Sequence, residues 1–221
     1  HLASRQFDQS RREIYVRHAA EAGIDRMITL GACMDDWKEN LSWARQFPGT
    51  VFCALGIHPD DAHGAPENWA EKLTAAAETV PLAAIGETGL DYFHPVPEGW
   101  ETADFHRRQQ ELLEEHFELA ARLGLNIVLH TRDRKGSRSF EDALAIAVNH
   151  AGLVRPVFHC FIGDTAQAAR IFDRLDGMVS FTGLPSKTLP SWRKRRAGVR
   201  KTASCWKRTP PTSVRNRSGA A

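Results

Sequence analysis

From residue 11 onward, helix-length stretches with apolar residues at three-to-four spacing alternate strictly with short β-rich apolar runs bounded by Gly, Pro or polar residues. No other feature limits the fold so severely, because strand, helix and strand in succession force parallel pairing with helical crossovers. The pattern predicts helices over residues 11–22, 35–46, 67–78, 104–123, 139–150 and 165–175, and strands over 26–30, 51–55, 82–85, 126–129, 157–158 and 178–181. Two α/β architectures satisfy it: a doubly wound open sheet and a (β/α)₈ TIM barrel.

The polar residues beyond the strands choose between them. Gly56-Ile57-His58-Pro59, Gly86-Glu87-Thr88-Gly89-Leu90-Asp91, His130-Thr131-Arg132-Asp133 and His159-Cys160-Phe161 each follow an apolar run directly. Titratable groups therefore recur at one edge, which in a barrel is the C-terminal mouth where several strands converge on one pocket. An open sheet would draw on fewer strand ends, near a switch point, and no Gly-rich phosphate-binding turn follows an early strand. A barrel is the expectation.

Composition narrows the setting. With 42% hydrophobic and 25% charged residues, the 221-residue chain has the make-up of a globular protein, one domain or most of a large one. It has no apolar run of membrane-spanning length and no basic-then-apolar leader, so neither a membrane protein nor a secreted one is expected. Cys33, Cys53, Cys160 and Cys205 are scattered without a CxxC pair, which argues against a zinc knuckle or disulfide framework and for a reducing cytoplasm. No obligate protein partner is implied. The first residue is His1 and not Met, which reads as the broken edge of a longer gene product in preference to a processing site.

Glu87, His130 and His159 stand at the ends of three different strands, and a carboxylate with two neutral imidazoles makes a divalent-metal donor set. A single histidine after a strand is more often a hydrogen-bonded loop residue than a ligand, but three coincident strand ends reverse that preference. Two imidazoles favour zinc or a similar ion over magnesium, which prefers oxygen ligands. A carboxylate can also bridge two ions about 3.5 to 4 Å apart, the arrangement that clamps both oxygens of a phosphodiester displacement, and Glu87 is the candidate bridge. His18, His63, His94, His106, His116 and His150 lie in helices or loops without that placement and read as surface residues.

These stretches resemble the TatD family of metal-dependent deoxyribonucleases, itself similar in design to the amidohydrolases. Residues 54–59 look like its glycine-x-histidine-proline motif and residues 84–92 like its glutamate motif. The helix with Gln109, Phe117, Leu119 and Ala120, followed by residues 126–133, resembles the third; residues 157–161 and 180–183 resemble the fourth and fifth. The resemblance implies a (β/α)₈ barrel that hydrolyses phosphodiester bonds of DNA with metal-activated water, using two divalent ions (Zn, Mg or Mn) in the intact fold. It implies Glu87 as the shared ligand, His130 and His159 as ligands of one ion, and His1 as a ligand candidate for the other, in place of the second histidine of a histidine-x-histidine pair. His58 and Asp91 become catalytic candidates that touch substrate or orient ligands, and Arg132 a substrate-binding candidate for a phosphate. Asp60 and Ile162 depart from the family pattern, where a histidine and a small polar residue are usual. The alternatives are an amidohydrolase-like hydrolase of a C–N bond, or an inactive fragment that binds nucleic acid through its tail.

That tail is the second anomaly. Residues 1–183 hold 18 basic and all 27 acidic side chains, net −9, whereas residues 184–221 hold 11 basic and none acidic, net +11. The family pattern ends at Gly183, so residues 1–183 read as a partial barrel lacking strands one and eight, with activity correspondingly impaired. Residues 184–221 are either a basic arm for phosphate contacts or an out-of-frame, disordered translation. Permissible codons for residues 185–214, read one base back, can encode FKNAPELAEAARRGPEDRLLLETDAPYLS, whose LLETDAP resembles the family's eighth strand with its aspartate. The frame slip is the favoured reading.

Overall fold

The computed structural model describes residues 1–4 and 7–181. Helix α1 (Arg12–Glu21) precedes β1 (Met27–Gly31), followed by α2 (Met34–Gln46), β2 (Val51–Leu55), a 3-10 turn (Pro59–Gly64), α3 (Trp69–Thr79) and β3 (Ala84–Tyr92). Then come α4 (Thr102–Leu123), β4 (Asn126–Asp133), α5 (Arg138–Asn149), β5 (Pro156–Phe158), α6 (Thr165–Leu175) and β6 (Met178–Val179). The six strands form one parallel sheet in sequence order, β1 to β6.

Side-chain alternation along the strands separates two faces. Cys53, Leu55, Ile85, Ile127 and Leu129 pack outward into one large core with residues from α2 to α6, while Ala54, Ala84 and Val128, one position out of phase, meet Leu30 in a small inner cluster. Helices on a single face and strands in unbroken order are the winding of a barrel, since a doubly wound sheet covers both faces. Among the described residues the sheet is open between β1 and β6, an incomplete barrel. The tail at 184–221, and Thr182 and Gly183 of the fifth motif, lie outside the described residues.

All six helices fall within two residues of their predicted bounds. Two strands do not. β3 and β4 run on through the polar motifs, because their pairing resumes after an irregularity between Ile85 and Thr88 with Gly89 opposite His130 and Asp91 opposite Arg132. Glu87, Asp91 and His130 therefore sit inside hydrogen-bonded strands and not in loops beyond them. The last strand is shorter than predicted, ending at Val179, with one further bond from Ser180 N–H to Phe158 O at 3.0 Å.

The surface assignment of two histidines is corrected. His116 is fully buried on the apolar stripe of α4, alongside Leu112, Leu113, Phe117 and Ala120. Its ring stacks on Trp69 with centroids 4.0 Å apart, and both nitrogens are used: Ile57 N–H donates to Nε2 at 3.2 Å and Nδ1 donates to Leu112 O at 2.6 Å. His150 is buried against Phe117 and pairs with Glu114 at 2.7 Å. Satisfied polar atoms are what make both burials tolerable.

Candidate metal centre at the strand ends

Two close backbone approaches shape the mouth. Gly56, just past β2, lies so near Gly86 that a Cβ would stand 2.7 Å from its Cα. Gly89 has φ +143°, where L side chains are strained, and a Cβ there would run into the backbone of His130. These contacts bring Glu87, His58 and His130 to one point.

Glu87 is 4% exposed and is the hub. Its Oε2 lies 3.1 Å from His1 Nε2 and its Oε1 3.3 Å from His130 Nδ1. Burial disfavours its charge, yet hydrogen bonds from His1 and His130 outweigh that and hold the carboxyl well below the usual carboxylate range. The other nitrogen of His130 meets Asp91 Oδ2 at 2.8 Å. Burial works against protonation of His130, but Asp91 and Glu87 raise its pKa to about 9.

Asp91 is itself pinned. Its Oδ1 accepts the N–H groups of Phe93 and His94 at 2.8 and 2.9 Å, and the buried Gln109 of α4 pairs with its backbone, accepting at 2.9 Å and donating at 3.2 Å. Burial again opposes its charge, and the bond from His130 together with the two N–H groups keeps the carboxyl deprotonated. His58 stands edge-on to His130 with ring centroids 4.5 Å apart. Burial first, and then the neighbouring charge of His130, push its pKa down to about 4. His159 accepts from or donates to Ser180 Oγ through Nδ1 at 3.0 Å, and burial lowers its basicity.

Three trios have one donor atom per residue within 4.8 Å of the others: His1, Glu87 and His159; His58, Glu87 and His130; and, at the rim, Asp60, Asp91 and His94. Glu87 belongs to the first two. In these groups His130 stands with His58, and His159 with His1. Four imidazoles around a shared, ionised carboxylate are a donor set that fits divalent metal binding. His94, read from sequence as a surface residue, is exposed but belongs to the mouth: its Nδ1 lies 3.0 Å from Asp91 Oδ2 and 3.3 Å from Asp60 Oδ2. Its place three residues after Asp91, where an aspartate caps its own turn, was the available signal. Arg132 shares the inner face of β4 with Val128 and His130 and lays its guanidinium over Phe93, 4.0 Å from the ring centroid.

Parallel strands in barrel order, with a carboxylate shared by two histidine pairs at their C-terminal ends, define a β/α protein with a divalent-cation centre. The chain belongs to the TatD related DNase family, whose model matches residues 1–198, past the end of the motif pattern at Gly183. It is 33% identical over 172 residues to the 3'-5' ssDNA/RNA exonuclease TatD of Cronobacter turicensis, covering 76% of this chain and 59% of the relative. It is 32% identical over 161 residues to the metal-dependent hydrolase YjjV of Escherichia coli K12, covering 72% and 57%. The crystal structure of YjjV, a TatD homologue from Escherichia coli K12, superposes with a TM-score of 0.73 at 26% identity, covering 91% of this chain and 72% of that one. The chain spans about six-tenths of the length of these curated relatives. No helix among the described residues is long and apolar enough to cross a membrane.

Proposed function

We propose that this chain carries the catalytic centre of a metal-dependent phosphodiesterase whose substrate is single-stranded DNA or RNA. The observation that carries the reading is Glu87, buried, ionised and common to the two trios that hold a histidine pair. Divalent ions held there supply Lewis-acid polarisation of a phosphodiester oxygen and lower the pKa of water. His1 and His159 would hold one ion and His58 and His130 the other, with Glu87 between them. The printed names of the relatives, an ssDNA/RNA exonuclease and a metal-dependent hydrolase, support the substrate class.

The remaining residues prepare that centre. Asp91 accepts a hydrogen bond from Nε2–H of His130 and so fixes which nitrogen faces Glu87, while Gln109 holds the Asp91 backbone in place. His58 is neutral at neutral pH, so it keeps one nitrogen lone pair to offer at the mouth. Purified full-length chain, assayed on end-labelled oligo(dT) and on a cyclic amide with Zn²⁺, Mg²⁺ or Mn²⁺, tests the reading. Metal-dependent shortening of the oligonucleotide that is lost in Glu87→Gln supports it. Amide hydrolysis without DNA cleavage, or inertness of a metal-loaded wild type toward DNA, overturns it.

A further inference from the structure

Arg132 is exposed and makes no hydrogen bond or ion pair within the described residues, unlike Arg108, Arg138 and Arg170, whose guanidiniums meet carboxylates. What holds it is a ring. Its guanidinium carbon lies over the Phe93 ring, 4.0 Å from the centroid, and Phe93 is fixed at both backbone ends: Asp91 Oδ1 accepts its N–H at 2.8 Å and Arg134 Nε donates to its carbonyl at 2.6 Å. Stacking constrains the guanidinium while leaving its in-plane N–H donors unused, the state in which arginine best receives a phosphate. Arg132 lies two residues beyond His130 on the same face of a strand, a separation of about 6.6 Å. Adjacent phosphates of an extended nucleic-acid strand are spaced comparably.

A groove of about 110 Å³ opens beside Arg132, between the turn after β4 and the turn after β5. Its polar groups are largely engaged internally. Both Asp133 carboxylate oxygens receive hydrogen bonds from Ser139, and Gln167 Oε1 accepts from Asp164 N–H at 3.0 Å. Its apolar lining includes Phe161 and, on the outside, Ile162, which is 55% exposed. Such a slot takes the flat face of a base without reading its edges, and takes it only from an unpaired strand.

The geometry points to a nucleotide-holding subsite outside the metal centre. Arg132, braced on Phe93, binds the phosphate next to the one being cleaved, and the base of that nucleotide lies in the groove against Ile162 and Phe161. The subsite rests on the nucleic-acid reading above but is separable from it.

The test is fluorescence anisotropy of a hydrolysis-resistant phosphorothioate oligo(dT) with metal-loaded full-length chain, across a salt series, beside the cleavage assay. Arg132→Ala weakens binding roughly tenfold and makes the slope of log affinity against log salt shallower by about 0.7, one single-strand phosphate contact. Arg132→Lys restores the slope but not the full affinity, having lost the guanidinium contact with Phe93. Ile162→Ser weakens binding of oligo(dT) but not of an oligonucleotide abasic at the adjoining position. A wild type that binds and cleaves while Arg132→Ala keeps the wild-type slope overturns the subsite alone. A wild type that neither binds nor cleaves overturns the nucleic-acid reading itself.

Discussion

Replacing His116 by glutamine removes a titratable ring from the interior while keeping an oxygen able to accept the Ile57 N–H. In the native protein His116 must stay neutral, because Nε2 accepts from Ile57 and Nδ1 already donates to Leu112. Burial pushes its pKa from 6.5 down to about 4. A histidine with a lowered folded pKa contributes stability that is complete above its unfolded value and is lost as pH falls from about 6.5 toward about 4, because only the unfolded chain takes up the proton there. Between about pH 7 and about pH 4.5 that proton uptake costs the wild type about 2 kcal/mol. His58, His106 and His159 also have lowered values and add to the acid lability, but they are common to both proteins and cancel in the comparison. Urea unfolding at a series of pH values, followed through tryptophan fluorescence with Trp69 stacked on the ring in question, reads the difference. The wild type should lose about 2 kcal/mol more than His116→Gln across that window. Parallel pH profiles for the two proteins would refute the assignment of His116 as a buried neutral imidazole.

Three further outcomes follow from particular contacts. Asp91→Asn leaves His130 without the carboxylate that orients it and should weaken divalent-metal affinity by about 10–100-fold, measured by calorimetry; unchanged affinity would show that His130 does not depend on Asp91. Gly89→Ala places a methyl group against the His130 backbone at φ +143° and should destabilise the fold by more than about 1 kcal/mol, so an unaltered melting temperature would contradict the close approach of β3 to β4. Asp164 caps α6 by accepting Gln167 N–H at 2.9 Å, in a reciprocal capping box; Asp164→Ala should cost about 1 kcal/mol in chemical denaturation, with no change in metal binding.

The mouth shows where reading the sequence succeeded and where it stopped short. Local periodicity placed all six helices, because a helix with one buried stripe repeats its apolar residues within a turn. The same periodicity carried the information that α4 buries His116, four residues beyond Leu112 and one before Phe117, but a histidine on such a stripe does not show whether its nitrogens have partners. Leu112 O lies one turn back on the same helix, but the Ile57 N–H became a partner only once α4 packed against the end of β2. The polar runs after the predicted strands hid the true length of β3 and β4, since pairing of Asp91 with Arg132 is a property of two strands and is written in neither alone.

By itself the sequence determined the alternating β/α order, the outward-and-inward alternation of side chains, and the histidines and carboxylates gathered at one edge. These follow from backbone geometry and hydrophobic periodicity, which act over a few residues. Only the tertiary structure decided that Glu87 lies between two histidine pairs, that His58 joins His130 while His159 joins His1, and that Asp91 is locked between His130 and Gln109. Those groupings depend on the twist and register with which distant strands pack, and on burial that sets which imidazole holds a proton and which does not.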